Sequence, residues 1–180
     1  VSRDSSVETF VAMKLGIGTE RWKGVPILMR TGKLLPVTAT EVIVRLKPSP
    51  MHGDSPDQDY FRFRLGPDLS INIGVRVKKP GVKMGSIPVE LSAVAQPRHD
   101  EVDAYERLLT DAIHGDSLLF VREDAVEAAW AIVEPVLGNV IPICAYAPGT
   151  WGPHEIDTLV AGLGKWHNPA KPQEVRPRAA

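Results

Sequence analysis

Two runs of alternating residues meet at a short turn, and they constrain the fold more than any other part of this chain. Phe61, Phe63 and Leu65 alternate with Tyr60, Arg62 and Arg64, while Ile71, Ile73, Val75 and Val77 alternate with Asn72, Gly74, Arg76 and Lys78. Successive strand side chains point to opposite faces, so each run predicts a strand with one apolar and one mixed face. Gly66-Pro67-Asp68 between them is turn composition, which makes the two strands adjacent and antiparallel.

More strands lie around this pair. Val7 to Lys14 mixes β-branched and aromatic residues and leads into Gly16 and Gly18. Val25 to Met29 is a short buried-strand candidate, Glu41 to Lys47 alternates as a half-buried strand, and Ile87 to Ala95 places Val89, Leu91, Ala93 and Ala95 on one side. Pro48 to Asp59 is a loop by composition. At Asp103 the period changes. Asp103 and Glu106 form a capping-box candidate, Ala104, Leu108, Leu109, Ala112 and Ile113 make an apolar stripe, and Gly115 stops the helix. A second helix is predicted from about Asp124 to Leu137, with Trp130 on its apolar face and an irregularity at Pro135. Pro153 suits the first turn of a short helix over His154 to Leu163, ended by Gly164. Strands first and helices last predict an α+β fold: a large antiparallel-dominated sheet with helices on one face.

The 180 residues suit one domain by size. Its 21 basic and 22 acidic side chains are interspersed and leave a net charge of −1, which argues against a nucleic-acid footprint or a polybasic membrane surface. No apolar run approaches the ~20 residues of a membrane span, and no signal-peptide pattern opens the sequence. The lone Cys144 excludes an intrachain disulfide and reads as a small core residue of a protein in a reducing, cytoplasmic compartment.

The chemistry-bearing stretch is Arg21 to Leu35, RWKGVPILMRTGKLL. Its apolar run ends at Arg30-Thr31-Gly32-Lys33, where a strand is expected to emerge into a glycine-containing turn and present two cations to a phosphate or sugar oxygen. On the residues alone, a hairpin corner with two solvated charges is the more economical reading. Elsewhere the signals are weaker. Gly16-x-Gly18 lacks a third glycine and a following helix pattern, so it is not a dinucleotide cradle. His52, His99, His114, His154 and His167 show no metal-ligand spacing and read as surface histidines, and Asp54, Asp57 and Asp59 read as a solvated acidic loop. Core packing is the reading for Trp130, and core-edge plugging for Trp22, Trp151 and Trp166.

Trp22, Gly24, Val25, Pro26, Arg30, Thr31, Gly32, Lys33 and Leu35 together resemble the W-x-G-V-P-x-x-x-R-T-G-K-x-L signature of the glucose-6-phosphate dehydrogenase C-terminal domain. Asp103 to Leu109, DAYERLL, and the segment from Gly115 to Trp130 resemble the family's D-A-Y-E-R-L helix and the one after it. Tyr146, Gly149, Trp151, Gly152 and Pro153 resemble its closing G-S/T-W-G-P segment. The resemblance implies a substrate and dimerisation domain over residues 1–168, while the low-complexity tail over 169–180 is expected from its own composition to be disordered. By the same resemblance, the N-terminal NADP-binding Rossmann domain, with the family's catalytic histidine, is expected to belong to a portion that precedes Val1 and so to be absent from this sequence, and Val1 to Phe10 resembles the hand-over between the two domains.

For the intact enzyme, the resemblance implies oxidation of glucose 6-phosphate to 6-phosphogluconolactone with NADP in the pentose phosphate pathway, and a homodimer formed through the sheet. It implies that Lys33 contacts the substrate and that no catalytic base or metal site lies in this chain. Arg30 matches a position that in some members contacts a second, structural NADP. Thr38, Gly66, Asn72 and Gly74 depart from the family's substrate and cofactor contacts, so no NADP is expected to bind tightly to this chain alone, which is expected to be inactive. A lone exposed ammonium contributes only ~0.2–1 kcal/mol toward an anion. The alternative is a free-standing, non-catalytic dimerisation or regulatory module that pairs with an intact dehydrogenase.

Overall fold

The computed structural model describes residues 5, 7–48, 58–81, 85–95, 102–138 and 140–171. They fall into two compact units, Thr9–Ala95 with Tyr146–Ala180, and Val1–Glu8 with Gln96–Ala145.

The first unit holds the strands. β1 (Phe10–Leu15) and β2 (Ile27–Gly32) form an antiparallel pair. β3 (Thr40–Arg45), β4 (Tyr60–Gly66), β5 (Ser70–Lys78) and β6 (Ser86–Val94) form a second antiparallel sheet, each strand beside the next in sequence. The expected α+β class with antiparallel sheets is therefore found, with its strands divided between two ladders. β4 and β5 pair as their alternation predicts, with Arg62 opposite Asn72 and Phe61 opposite Ile73.

Alternation gives the four-stranded sheet two different faces. On the mixed face, the Glu90 carboxylate accepts hydrogen bonds from the Tyr60 hydroxyl, from Arg62 Nη2 at 2.8 Å and from Asn72 Nδ2 at 3.0 Å. The second Asn72 amide hydrogen goes to Ser92 Oγ at 2.8 Å, which satisfies the donors of a buried side chain. Gly74, opposite Tyr60, leaves room for the tyrosine ring to lie over its backbone. The other face carries Val42, Leu65, Ile71 and Leu91, with Leu91 60% and Leu65 58% exposed.

Two corrections concern the strands and turns. Arg30, Thr31 and Gly32, expected to form a turn, continue β2, because Ala12, Val11 and Phe10 of β1 pair with them. The segment after Pro153 is a 3₁₀ helix over His154–Val160 that ends before Leu163; Thr158 O accepts from the Ala161 N–H three residues on, the tighter bonding pattern.

In the second unit, α1 (Ala104–His114) begins at Asp103, whose Oδ1 accepts from the Tyr105 N–H at 2.9 Å, and ends at Gly115 with φ 72°. α2 (Glu123–Val133) passes into a 3₁₀ turn over Glu134–Val136, the irregularity expected at Pro135. Trp130, expected in a core, is 56% exposed. Among the described residues, no helix is long and apolar enough to cross a membrane.

Candidate functional site

Lys33 follows the last residue of β2, and its backbone is held on both sides. Its N–H donates to Thr9 O at 2.8 Å, and its carbonyl accepts from the Tyr146 hydroxyl at 2.7 Å. The next residue, Leu34, has φ 52°, in the left-handed region that leucine disfavours, and its carbonyl accepts from the Gly149 N–H at 2.8 Å. Lys33 is exposed, and its ammonium has no hydrogen-bond partner among the described residues. A rigidly anchored backbone thus carries an unengaged cation.

The anchoring depends on Gly32 and Phe10. These residues face each other in the β1/β2 ladder, and a Cβ added at Gly32 would stand 2.5 Å from Phe10 Cδ2. The same ring occupies the space beside Gly152, whose φ of 105° excludes most side chains. It also meets the Tyr146 ring at a centroid separation of 5.3 Å and a tilt of 55°. Phe10 is the wedge between the β2 end and the segment that holds Lys33.

Arg30 has the opposite character. Its guanidinium lies 4.7 Å from the Trp151 ring centroid and 5.1 Å from that of Trp166. Nη1 donates to Trp151 O at 3.4 Å, and Nη2 to His167 O at 2.6 Å and to Asn168 Oδ1 at 2.5 Å. Desolvation by this cage pulls the Arg30 pKa below its ordinary value, and the Asp157 carboxylate acts against the shift. The cage borders an open cleft of ≈ 580 Å³ that Pro153 and Asp157 also line. Strand alternation does not place residues 30 and 33 on one face.

Arg30 is thus engaged by the chain itself, and this arrangement does not fit a structural NADP held at Arg30. In β5, a strand of the other sheet, Asn72 is likewise engaged, bonded to Glu90 and Ser92, and Gly74 lies under Tyr60.

His167, read from sequence as a surface histidine, is also a correction. Its Nε2 lies 2.7 Å from Glu41 Oε2, and Glu41 Oε1 accepts from Arg64 Nη1 at 3.1 Å. Arg64 Nη1 also donates to Ala170 O at 3.0 Å, while Arg64 Nε and Nη2 are buried without a partner among the described residues. His154 is exposed, whereas His52, His99, Asp54 and Asp57 lie outside the described residues. Residues 172–180 of the expected tail also lie outside them. Gly16 and Gly18 lead into a turn over residues 19–24 rather than a helix, closed by the Lys23 N–H on Thr19 O at 2.8 Å.

Sequence reasoning singled out Lys33 and Arg30 but gave no site role to Thr9 or Glu41, whose contacts with Tyr146 and His167 span more than a hundred residues, and read Trp166 as a core-edge plug rather than a partner of Arg30. For Tyr146 and Gly149 there was a signal, their place in the closing motif, but it did not reveal what they touch.

The model of the glucose-6-phosphate dehydrogenase C-terminal domain matches residues 1–167. The chain belongs to this family. It is 38% identical over 180 residues to a glucose-6-phosphate 1-dehydrogenase of Treponema pallidum (strain Nichols), covering 92% of this chain and 35% of that protein. The cytoplasmic isoform from Solanum tuberosum is 39% identical over 177 residues, covering 91% and 34%.

A glucose-6-phosphate 1-dehydrogenase crystal structure from Mycobacterium avium superposes with a TM-score of 0.80 at 36% identity, covering 96% of this chain and 38% of that one. A glucose-6-phosphate dehydrogenase in complex with glucose 6-phosphate gives 0.76 at 31% identity, covering 94% and 37%. The family chain described here spans about a third of the length of these relatives.

Proposed function

We propose that this chain acts as the substrate-contacting and dimerising part of a glucose-6-phosphate dehydrogenase, in which Lys33 binds the anionic sugar phosphate. The observation that carries the reading is the pairing of an exposed, unengaged ammonium with a backbone fixed at its N–H and its carbonyl. An ammonium offers three donors and a point charge, which suits phosphate or sugar hydroxyl oxygens. One relative is described in complex with glucose 6-phosphate, which supports that substrate.

NADP would supply the hydride acceptor to the whole enzyme. In this chain the turn after Gly18 and the engaged Arg30 support neither a dinucleotide cradle nor a second cofactor contact, so the chain alone is inactive. The exposed apolar sheet face supports a homodimer, since a patch of this kind is stabilised by a second copy of itself. A cytoplasmic location is supported by the potato relative, which is described as a cytoplasmic isoform.

The test is Lys33→Ala in the full-length protein. Loss of one charge-assisted contact worth about 1.5–3 kcal/mol is expected to raise the KM for glucose 6-phosphate more than tenfold. Unchanged KM and kcat would sink the reading. The chain on its own, incubated with glucose 6-phosphate and NADP, is expected to form no NADPH.

A further inference from the structure

We infer that Tyr146 is a positioning residue for Lys33, an inference that rests on the substrate-binding reading of that lysine. The Lys33 side chain makes no bond of its own among the described residues, so its location is set by its backbone alone. The Tyr146 hydroxyl has a single hydrogen and two carbonyls within reach, Lys33 O at 2.7 Å and Thr9 O at 3.2 Å. The shorter contact takes the hydrogen. Thr9 O is already the acceptor for the Lys33 N–H at 2.8 Å. The tyrosine oxygen therefore closes a small polar group around both backbone atoms of the lysine.

Leu34 gives this bond its consequence. Its left-handed φ of 52° is kept only because the peptides on either side are pinned, Lys33 O by Tyr146 and Leu34 O by the Gly149 N–H. Without the hydroxyl, the Lys33–Leu34 peptide is free to rotate toward an unstrained conformation, and the ammonium goes with it. The tyrosine ring has a separate role, packing against Phe10 at 5.3 Å. Tyr146→Phe keeps that packing and removes only the positioning bond.

The experiment is a double-mutant cycle in the full-length protein, comparing Tyr146→Phe, Lys33→Ala and the double variant. Glucose 6-phosphate affinity is read by calorimetric titration, and kcat and KM by NADPH formation. Tyr146→Phe is expected to weaken glucose 6-phosphate binding about 3- to 10-fold, the usual worth of one hydrogen bond, with kcat within about twofold of the parent. In the Lys33→Ala background it is expected to have no further effect, because a positioning residue has nothing left to position.

An equal loss in both backgrounds would show that the hydroxyl acts on the fold in general, and would overturn the inference. So would unchanged affinity in Tyr146→Phe where Lys33→Ala still weakens binding, a result that leaves the Lys33 reading standing. If Lys33→Ala itself leaves affinity unchanged, the underlying reading fails and the inference falls with it.

Discussion

Gly32 matters at the residue scale because the space a side chain would need is already filled by Phe10. Gly32→Ala is expected to destabilise by about 1–3 kcal/mol, as overpacking does, and Phe10→Leu in that background to restore part of the loss. Urea midpoints of the parent and the two variants check this, and an unchanged midpoint for Gly32→Ala contradicts the close approach. Arg30→Lys keeps the charge but loses the planar fork and the stacking between two indoles, an expected cost of about 1–3 kcal/mol in the same assay.

Tyr60 carries a pH signature. Its hydrogen bond to Glu90, followed by desolvation and the nearby carboxylate charge, raises its pKa, while Arg62 pulls the other way. Folding thus favours the neutral phenol. The stabilisation is intact below the ordinary value of 10.0 and is lost as pH rises above it through the folded value. Tyr60→Phe is expected to flatten the decline of stability with pH above about 10, measured by urea unfolding at successive pH values. The residues of the R-T-G-K motif were legible in the sequence. The reason for the glycine was not, since it lies in a ring contributed by another strand.

Elements were legible where their ends are chosen locally. Asp103 and Gly115 bracket α1 as the residues alone predict, because an N-cap carboxylate and a left-handed C-cap need only neighbours a few residues away. Asp103→Ala is expected to lower stability by about 1 kcal/mol, read from the helical circular dichroism signal during thermal unfolding. Elements whose extent depends on a distant partner were not legible. β2 runs through Arg30 and Thr31 because β1 offers a ladder there, while the segment after Pro153 tightens to 3₁₀ against a helical sequence pattern. Trp130 lies on the apolar face of its helix yet is largely exposed, so periodicity identified the stripe without saying what meets it.

For the whole molecule, the two faces of the β3–β6 sheet were written in the alternation of Phe61 to Leu65 and Ile71 to Val77, and the polar network around Glu90 follows from that register. The apolar face leads to an expectation about assembly. Leu91→Lys is expected to shift the full-length protein toward monomers in sedimentation velocity, because it places a charge on the apolar face that the contact would desolvate. A dimer that persists unchanged would exclude this face as the interface. Long-range closure was not legible: the Tyr146 hydroxyl and the Lys33 carbonyl are 113 positions apart, and Tyr146 and Thr9 are 137 apart. That separation bears on the order of events as the chain is made. The lysine is synthesised well before Tyr146 and Gly149, which emerge only after β6 and both helices. Closing so long a loop is slow and entropically costly, so this contact forms late in folding. Substrate affinity therefore reports on the completed chain, since a nascent chain that stops at residue 145 has the Thr9 bond to the lysine N–H but lacks the Tyr146 hydroxyl that holds the lysine carbonyl.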